Sequence, residues 1–330
     1  MFPRASWRAR SRSRSQPTKA LFNYSAADPT RPRPERLETT SVQRVDYDKG
    51  MKPELLEALR QRILENNLEV HEDAIIAQAL PAMRLILGAP SSGAVGESRV
   101  GGVPDLPLGT VWPRNPEGEA YSFVLQLSLT DVPPFAGNPL PDEGLLYFFV
   151  GLDEPASDVD HLVLILDSEQ LKPAIQPDEA EFANDAYIAM PAHKLTFELF
   201  ADMPRWATRD YEALTFDVMT EDENSSYDAL AKRKPREIGQ LLGYVATVGQ
   251  DTREDAFVVR EVNPKFLYDY AEQAKLDMTL AKRWRNLLRV DSIDELELMI
   301  WDAGFFNVLV KDADLERLNF SKLYVAVETS

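Results

Sequence analysis

The 330-residue chain contains no cysteine, which excludes disulfides, thiolate metal sites and a cysteine nucleophile. Its 44% of apolar residues are enough for a buried core, and no apolar run approaches the roughly 18 residues that span a bilayer. The lack of thiols suits a reducing cytoplasm, where we expect the protein to reside.

The charge is distributed unevenly along the chain. Residues 1–49 hold 11 Lys and Arg against 5 Asp and Glu, whereas the remainder holds 25 basic and 49 acidic residues, a formal charge of −24. A body of that charge repels a polyanion such as nucleic acid. We therefore expect residues 51–330 to bind neither nucleic acid nor a membrane, and to suit a basic protein partner.

The first fifty residues differ in composition from the rest. Their run RARSRSRS suits a nucleic-acid-binding arm or a targeting peptide, but we favour a disordered basic tail or a start codon assigned too far upstream. Met51 opens MKPELLEALRQRIL, which has Pro53 near a first helical turn and apolar residues on one face. We expect one folded domain over 51–330; an intact mass of 37.3 kDa for the natively expressed protein would contradict the late start.

The elements predicted in chain order are mostly short strands. Helices are predicted over 53–66 and 71–80, then a strand at 83–87 and a glycine-rich surface loop at 88–102. The remaining predictions are strands at 121–129, 145–150, 162–166, 186–190, 194–200, 257–262, 286–290, 305–310 and 323–327, helices over 205–214 and 265–283, and an acidic loop at 221–226. This order predicts an α+β, β-rich fold, a roll of mixed or antiparallel sheets with flanking helices.

The strand YSFVLQLSL (121–129) shows an alternating pattern. Its apolar residues at the odd positions from 121 to 127 are predicted to share one buried face. The next strand, LLYFFV (145–150), has no polar side and should lie in the interior of the sheet.

A similar pair of strand segments occurs near the C-terminus. FVLQLS is followed by PDEG and LLYFFV, and NLLRVDS (286–292) is followed by WDAG and FFNVLV. In each copy an aspartate, Asp142 or Asp302, precedes a glycine, Gly144 or Gly304, by two residues and is predicted to cap the turn. Either the unit is duplicated, with both copies packed about a pseudo-twofold axis, or the similarity arose by chance.

The chain resembles the YwqG-like family, a group of mostly bacterial proteins of uncharacterised function. The resemblance runs from about Met51 to Val327 and rests on SRVGGVPDLPLGTVWP, YSFVLQLSLTDVP, LPDEGLLYFFV, LLGYVATVGQD, WRNLLRVDS and WDAGFFNVLVKDADLERLNF, in the family's order. It implies a β-rich roll with flanking helices and brings no catalytic residues. Family members often have glutamine where this chain has Arg289, which weakens any role for a paired glutamine.

The residues show no recognisable catalytic constellation. The three histidines, His71, His161 and His193, lack a metal-ligand spacing, and neither a Gly-x-Ser-x-Gly elbow nor a phosphate-cradling loop is present. We therefore expect no metal and no cofactor. Carboxylates near turns, Asp142, Glu143, Asp251, Asp255 and Asp302, offer the material from which an acid–base pair could converge.

Two residues are candidate ligand contacts, and the other motif positions are predicted to be structural. Gln250 and Asp251 follow a short apolar strand predicted between the glycine turns of 239–255, at a loop, where binding groups often sit. Trp301 is expected to pack in the core or in a turn. The motif positions predicted to set turns and strand entries are Gly101, Gly102, Pro104, Trp112, Pro113, Gln126, Asp142, Gly144, Asp302 and Gly304.

Two classes of function fit these observations. The first is a non-catalytic binding protein with an acidic surface, which scaffolds or neutralises a basic protein in a salt-sensitive complex. The second is a carboxylate- or serine-dependent hydrolase whose cleft lies between the two repeat units. We favour the first, and convergence of acidic side chains in a deep pocket would favour the second.

Overall fold

A computed structural model describes residues 51–151, 157–183, 190–216 and 218–329. The basic tail over 1–50 and most of the predicted strand at 186–190 lie outside these ranges. The α-helices within them are α1 (Pro53–Glu65), α2 (Glu72–Gln78), α3 (Arg209–Thr215), α4 (Glu221–Leu230), α5 (Thr252–Phe257), α6 (Tyr270–Gln273) and α7 (Asp312–Leu315). Both predicted N-terminal helices are confirmed, and α1 buries Leu59 and Ile63 on its predicted apolar face.

The strands form one large antiparallel sheet and one small one. They are β1 (Leu80–Pro90), β2 (Arg99–Val100), β3 (Asp105–Pro107), β4 (Ser122–Ser128), β5 (Leu145–Val150), β6 (His161–Leu166), β7 (Leu171–Pro173), β8 (His193–Asp202), β9 (Glu237–Leu241), β10 (Trp284–Asp291), β11 (Phe305–Lys311) and β12 (Tyr324–Glu328). Ten of them pair in the order β12-β11-β10-β9-β1-β8-β2-β4-β5-β6, and β3 pairs with β7. The predicted α+β, β-rich fold class is confirmed.

The large sheet nearly closes on itself. The segment that leads into β6 reaches the opposite edge strand β12, where Ser157 forms an antiparallel bridge with Ala326. The backbone N–H of Val159 donates to the carbonyl oxygen of Val325 at 2.8 Å. This seam gives part of the β12 edge a partner, which an open sheet would leave without backbone hydrogen bonds.

The strand order is symmetric about the centre of the sheet. Counted inward from its two edges, β12 corresponds to β6, β11 to β5, β10 to β4, β9 to β2 and β1 to β8. The corresponding strands also follow one another in the same order along the chain. The large-sheet strands of the first half (β1 to β6) and those of the second half (β8 to β12) are therefore arranged in the same way. The central strands are exchanged, because β1 lies beside β9 and β8 lies beside β2.

Details of the hairpins match between the halves. The β4–β5 pair has a bulge at Val124 and the β10–β11 pair has one at Leu287, and in both hairpins four residue pairs follow the bulge. The N–H of Leu129 donates to the Gly144 carbonyl at 2.9 Å, and that of Ser292 donates to the Gly304 carbonyl at 3.0 Å. Of the two alternatives that the sequence left open, these shared features favour a duplicated unit over chance similarity.

Apolar side chains fill both faces of the sheet. Its inner face carries one continuous cluster from both halves, including Leu85, Leu125, Phe148, Leu288 and Phe306. On the outer face, three further clusters cover separate parts: one packs against α1 to α4, one lies beneath Trp112 and Phe182, and one packs against α5. These clusters also cover polar groups on the outer face of the sheet. The charged side chains of that face that are described below are therefore buried.

The predicted alternation in 121–129 is wrong on the N-terminal side of the bulge. Because Val124 is the extra residue, Phe123 lies in the outer cluster with Tyr121, whereas Leu125 and Leu127 lie in the inner one. Both faces of β4 are buried. A bulge reverses the side-chain direction that a period of two would give.

Three secondary-structure predictions in the second half are wrong. In each case a capping side chain begins a helix at a position that the local composition did not indicate. The segment 257–262 completes α5 and a following π-helical turn instead of a strand, since Asp251 caps that helix. The acidic segment 221–226 begins α4, where Thr220 and Glu223 form a reciprocal capping box. The helix predicted over 265–283 is broken into short pieces, since Asp269 and Asp277 each cap a new one.

Candidate functional site

The two glycines after β2 allow the backbone to turn in a left-handed conformation. Gly101 and Gly102 both have φ of +72°, and a Cβ on Gly101 would lie 2.5 Å from the Pro191 carbonyl oxygen. In the second half, Leu242 and Gly243 take the same left-handed conformation, with φ of +62° and +78°. These positions turn the chain after equivalent strands, and Gly101 has no room for a side chain.

Gln126 lies in a buried hydrogen-bond network of the first half. Its Oε1 accepts from the N–H of Asp105 at 2.8 Å, and its Nε2 donates to the Glu97 carbonyl and to the Asp105 carboxylate. The guanidinium of Arg99 pairs with that carboxylate at 2.7 Å. Burial raises the pKa of Asp105, but the bonds from Arg99 and Gly96 outweigh it and hold the pKa below its usual range.

The second half contains the same pair of residues in exchanged positions. Arg99 on β2 faces Gln126 on β4, whereas Gln240 on β9 faces Arg289 on β10. Sequence reasoning aligned Gln126 with Arg289 and missed the reciprocal change. The signal was present in the two segments RVGG and QLLG, which precede equivalent turns.

Arg289 and Gln240 each belong to a buried ionic cluster. Arg289 Nη2 lies 3.1 Å from the Glu237 carboxylate and its Nε lies 3.2 Å from that of Asp291. Gln240 Nε2 donates to Asp202 at 2.6 Å, and the Arg205 guanidinium pairs with the other oxygen of Asp202 at 2.7 Å. The charges of both clusters are thus paired with one another inside the protein.

The remaining motif positions take structural places. Trp112 Nε1 donates to the Tyr121 carbonyl at 2.8 Å, and its ring packs edge-on against Phe149 and Phe182. The carbonyl of Pro113 also accepts from the Tyr121 N–H, at 3.1 Å, and that of Pro104 accepts from Ala174. The Trp-Pro corner thus fixes the entry into β4.

The two aspartates of the hairpin turns do not cap those turns. Asp142 and Asp302 are exposed, and within the described ranges no hydrogen bond reaches either carboxylate. Glycine conformation defines the first turn instead, because Gly144 has φ of +106° and a Cβ there would lie 2.9 Å from the Leu166 carbonyl oxygen. Trp301 is 47% exposed and also has positive φ.

Asp251, one of the two candidate ligand contacts, joins two helices. Its Oδ2 accepts from the backbone N–H of Arg209 at the start of α3, and its Oδ1 accepts from that of Arg253 in α5, both at 3.1 Å. The Arg253 side chain adds two charged bonds, of 2.8 and 2.5 Å. Burial raises the pKa of Asp251, but the bonds and charge of Arg253 outweigh it and keep the carboxylate ionised.

Gln250, the other candidate ligand contact, is exposed and forms hydrogen bonds with the carboxylate of Asp255. Its Nε2 donates to both oxygens of Asp255, at 2.8 and 3.0 Å. The pKa of Asp255 is raised to about 6, chiefly by burial and also by the negative charge of Glu328, while the hydrogen bond from Gln250 lowers it. Glu328 itself accepts from Thr252 Oγ1 at 2.5 Å and from the Val248 N–H at 3.2 Å, and burial raises its pKa as well.

An exposed aromatic surface lies beside this turn. Thr247 Oγ1 donates to the carbonyl of Trp206 at 3.0 Å, and the Trp206 side chain is 53% exposed. The Trp206 ring packs edge-on against Tyr211, which also contacts Phe216. We call residues 247–255 the acidic turn, and Trp206 with Phe216 the aromatic pair. Nothing in the sequence pattern singled out Trp206.

The three histidines lie on different elements of the structure. His71 Nε2 lies 3.2 Å from Glu223, whereas His161 Nδ1 and His193 Nδ1 contact the carbonyls of Val159 and Gly88. In the described ranges, no group of three or more histidines, aspartates and glutamates is arranged to hold a metal ion. No helix of those ranges has the length and apolarity to cross a membrane.

The structure also has an open depression of about 740 Å³ beside α1. The described residues that line it lie within 51–60 and include Glu54, Glu57 and Arg60. Neither Asp255 nor Glu328 is among them. The carboxylates with raised pKa and this depression are therefore separate features.

Comparison with known proteins adds a family and no activity. Residues 98–328 match the family described as Domain of unknown function (DUF1963). No curated protein matches the chain. The matched span begins at Ser98, so it includes β2 to β12 and leaves α1, α2 and β1 outside, although β1 pairs in the middle of the sheet.

Proposed function

The chain belongs to the DUF1963 family, a domain of unknown function, and we propose that it is a non-catalytic binding protein that takes a basic protein partner. We also infer that its finer relationship is to the YwqG-like group, on the strength of the six motifs and their order. The location we infer is the cytoplasm, in line with the absence of cysteine.

The observation that carries this proposal is the balance of buried charge. Five arginines, Arg84, Arg99, Arg205, Arg253 and Arg289, have little or no exposure and pair with five similarly enclosed carboxylates. Those carboxylates are Asp105, Asp202, Glu237, Asp251 and Asp291. Because the enclosed groups cancel, the excess of acidic residues in the sequence after residue 49 stays with the remaining, mostly exposed, side chains.

An exposed excess of negative charge favours association with a cationic surface. It accelerates encounter and opposes polyanions, and its effect weakens as salt shortens the Debye length to about 8 Å at 0.15 M ionic strength. The two candidate ligand contacts offer less, since the Asp251 carboxylate already accepts from four donors and the Gln250 Nε2 is bonded to Asp255.

A second candidate, a carboxylate-dependent hydrolase, is favoured by one observation. Asp255 and Glu328 both have raised pKa values, and burial together with these two charges raises the pKa of Tyr324. Tyr324 lies at the seam, since the next two residues of its strand, Val325 and Ala326, pair with Val159 and Ser157. A protonated carboxyl beside an ionised one is the arrangement that acid–base hydrolysis requires.

Affinity capture with the full chain separates the two candidates. The protein is immobilised and incubated with extract from its own cell at low and at high salt, and bound proteins are identified by mass spectrometry. We expect a protein of high isoelectric point to be retained at low salt and released at high salt. Retention of no protein, together with hydrolysis of a panel of ester, amide and glycoside substrates that Asp255→Asn abolishes, would favour the hydrolase and refute the binding proposal.

A further inference from the structure

The aromatic pair consists of two exposed rings that pack against the same buried tyrosine. Trp206 and Phe216 are 53% and 56% exposed, and both rings contact the buried Tyr211, at centroid distances of 5.5 and 6.1 Å. Val218, which follows Phe216 closely in the chain, is 50% exposed. Large apolar side chains grouped in this way at a surface mark places where partners bind.

The surrounding structure holds the aromatic pair in place. Tyr211, on which both rings rest, donates from its hydroxyl to Asp228 at 3.0 Å. Thr208 caps α3 by accepting from the Tyr211 N–H, and Thr247 fixes the Trp206 carbonyl. A rigid exposed tryptophan loses little conformational entropy on binding, which is why this residue type dominates interface hot spots.

The neighbouring charges are predominantly negative. Arg209 pairs with Glu254 at 2.8 Å and with Glu212 at 3.5 Å, so one exposed cation is shared by two carboxylates. Asp255 and Glu328 add two further carboxyls, which accept hydrogen bonds from Gln250, Thr252 and the Val248 N–H and form no ion pair with a cation of the described residues. The positive charge of Arg253 is already taken by Asp251 and Asp210.

From this juxtaposition we infer that the aromatic pair and the acidic turn together form the docking surface for a lysine- or arginine-bearing segment of the protein partner. A cationic side chain can lie over the exposed indole face of Trp206, with its charged end directed to the carboxyls of the acidic turn. Attraction between a cation and an aromatic face supplements the charge attraction. This inference rests on the proposed function and gives it a location.

The test measures binding of a defined basic peptide to the full chain. A fluorescently labelled lysine–glycine repeat peptide is titrated at low salt and followed by fluorescence anisotropy, with a glutamate–glycine repeat as the charge control. We expect Trp206→Ala to weaken binding about 3- to 30-fold. Trp206→Leu, which keeps apolar area but removes the π face, should weaken it comparably, and Asp255→Asn should reduce the salt dependence.

The matched control is Tyr268→Ala, which removes an aromatic ring that is 76% exposed and lies outside the proposed surface. It should leave the affinity unchanged, and urea unfolding of each variant checks that the fold is intact. If the wild-type chain binds the basic peptide and the Trp206 variants bind it equally well, the location is wrong while the proposed function stands. If the wild-type chain binds the basic and acidic peptides equally weakly, the proposed function itself fails, and the docking surface with it.

Discussion

Replacement of Arg289 by glutamine tests the exchange of arginine and glutamine between the two halves. Arg289 is 2% exposed, and its loss leaves Glu237 and Asp291 with one cation fewer in a buried site. Removing one partner of a buried ion pair costs about 3–5 kcal/mol. Since Glu237 keeps Arg84 and Asp291 keeps Arg233, we expect a loss near the lower end, about 3 kcal/mol in the free energy of unfolding.

The second substitution in this experiment copies the first half of the protein. By register, Asp291 corresponds to Ser128, so Arg289→Gln combined with Asp291→Ser reproduces the pattern of Gln126 and Ser128. We expect the double variant to recover at least about 1 kcal/mol relative to Arg289→Gln, because one of the two carboxylates that lost the Arg289 cation is gone. Urea unfolding followed by tryptophan fluorescence and circular dichroism gives both values.

The control for this pair is Arg285→Gln on the same strand. The Arg285 side chain is 56% exposed and pairs with Asp312, so its loss should cost under about 1 kcal/mol. A loss for Arg289→Gln as small as that of Arg285→Gln would refute the reasoning. So would a double variant that is less stable than Arg289→Gln alone, since the two sites would then not be coupled through charge.

Three further predictions concern stability. The folded-state pKa of Asp255, about 6 against an ordinary 3.8, means that protonation stabilises the fold fully below pH 3.8 and that this contribution is lost as pH rises through 6. The Asp255→Asn variant should therefore have an unfolding free energy about 2–3 kcal/mol above that of the wild type at pH 8, and a smaller advantage at pH 5. Urea titrations of both proteins at the two pH values measure this, and an advantage of the same size at pH 5 and pH 8 would contradict the assigned charge environment. Gly101→Ala should cost about 2 kcal/mol in urea unfolding because of its positive φ and the nearby carbonyl, whereas Gly249→Ala, with open space around it, should change the result by under about 0.5 kcal/mol. Thr220→Ala should lower the unfolding free energy by about 1 kcal/mol through loss of the α4 cap, and hydrogen exchange that is unchanged in α4 would count against that cap.

The sequence pattern correctly predicted those strands whose local composition matches their place in the tertiary structure. The strands at 145–150 and 305–310 are apolar at every position or nearly so, and both lie in the interior of the sheet. The echo between 123–150 and 286–310 anticipated the equivalence of the two hairpins, because turn glycines and strand residues recur at similar spacing. The exchange of β1 and β8 between halves could not be predicted, since it depends on contacts distant in the chain.

The candidate site was predicted only in part. Gln250 and Asp251 were singled out by their place after a strand, and they do lie in the acidic turn, yet the role of Asp251 as a cap for two helices depends on Arg209 from a different segment. Trp206 lies within the helix predicted over 205–214, but α3 begins only at Arg209, and the Trp206 ring packs edge-on against Tyr211 while remaining 53% exposed. Periodicity reports which residues face a core, and it carries no information about which residues a tertiary contact leaves at the surface.

The most direct test of the central claim, that the protein binds a basic partner through its acidic surface, is the salt dependence of basic-peptide binding. Anisotropy of the labelled lysine–glycine peptide is measured with the full chain over a series of salt concentrations, beside the glutamate–glycine peptide. We predict saturable binding of the basic peptide at low salt, a steep decline as salt rises, and no binding of the acidic peptide. Absence of binding at low salt, or an affinity that salt leaves unchanged, would contradict the claim.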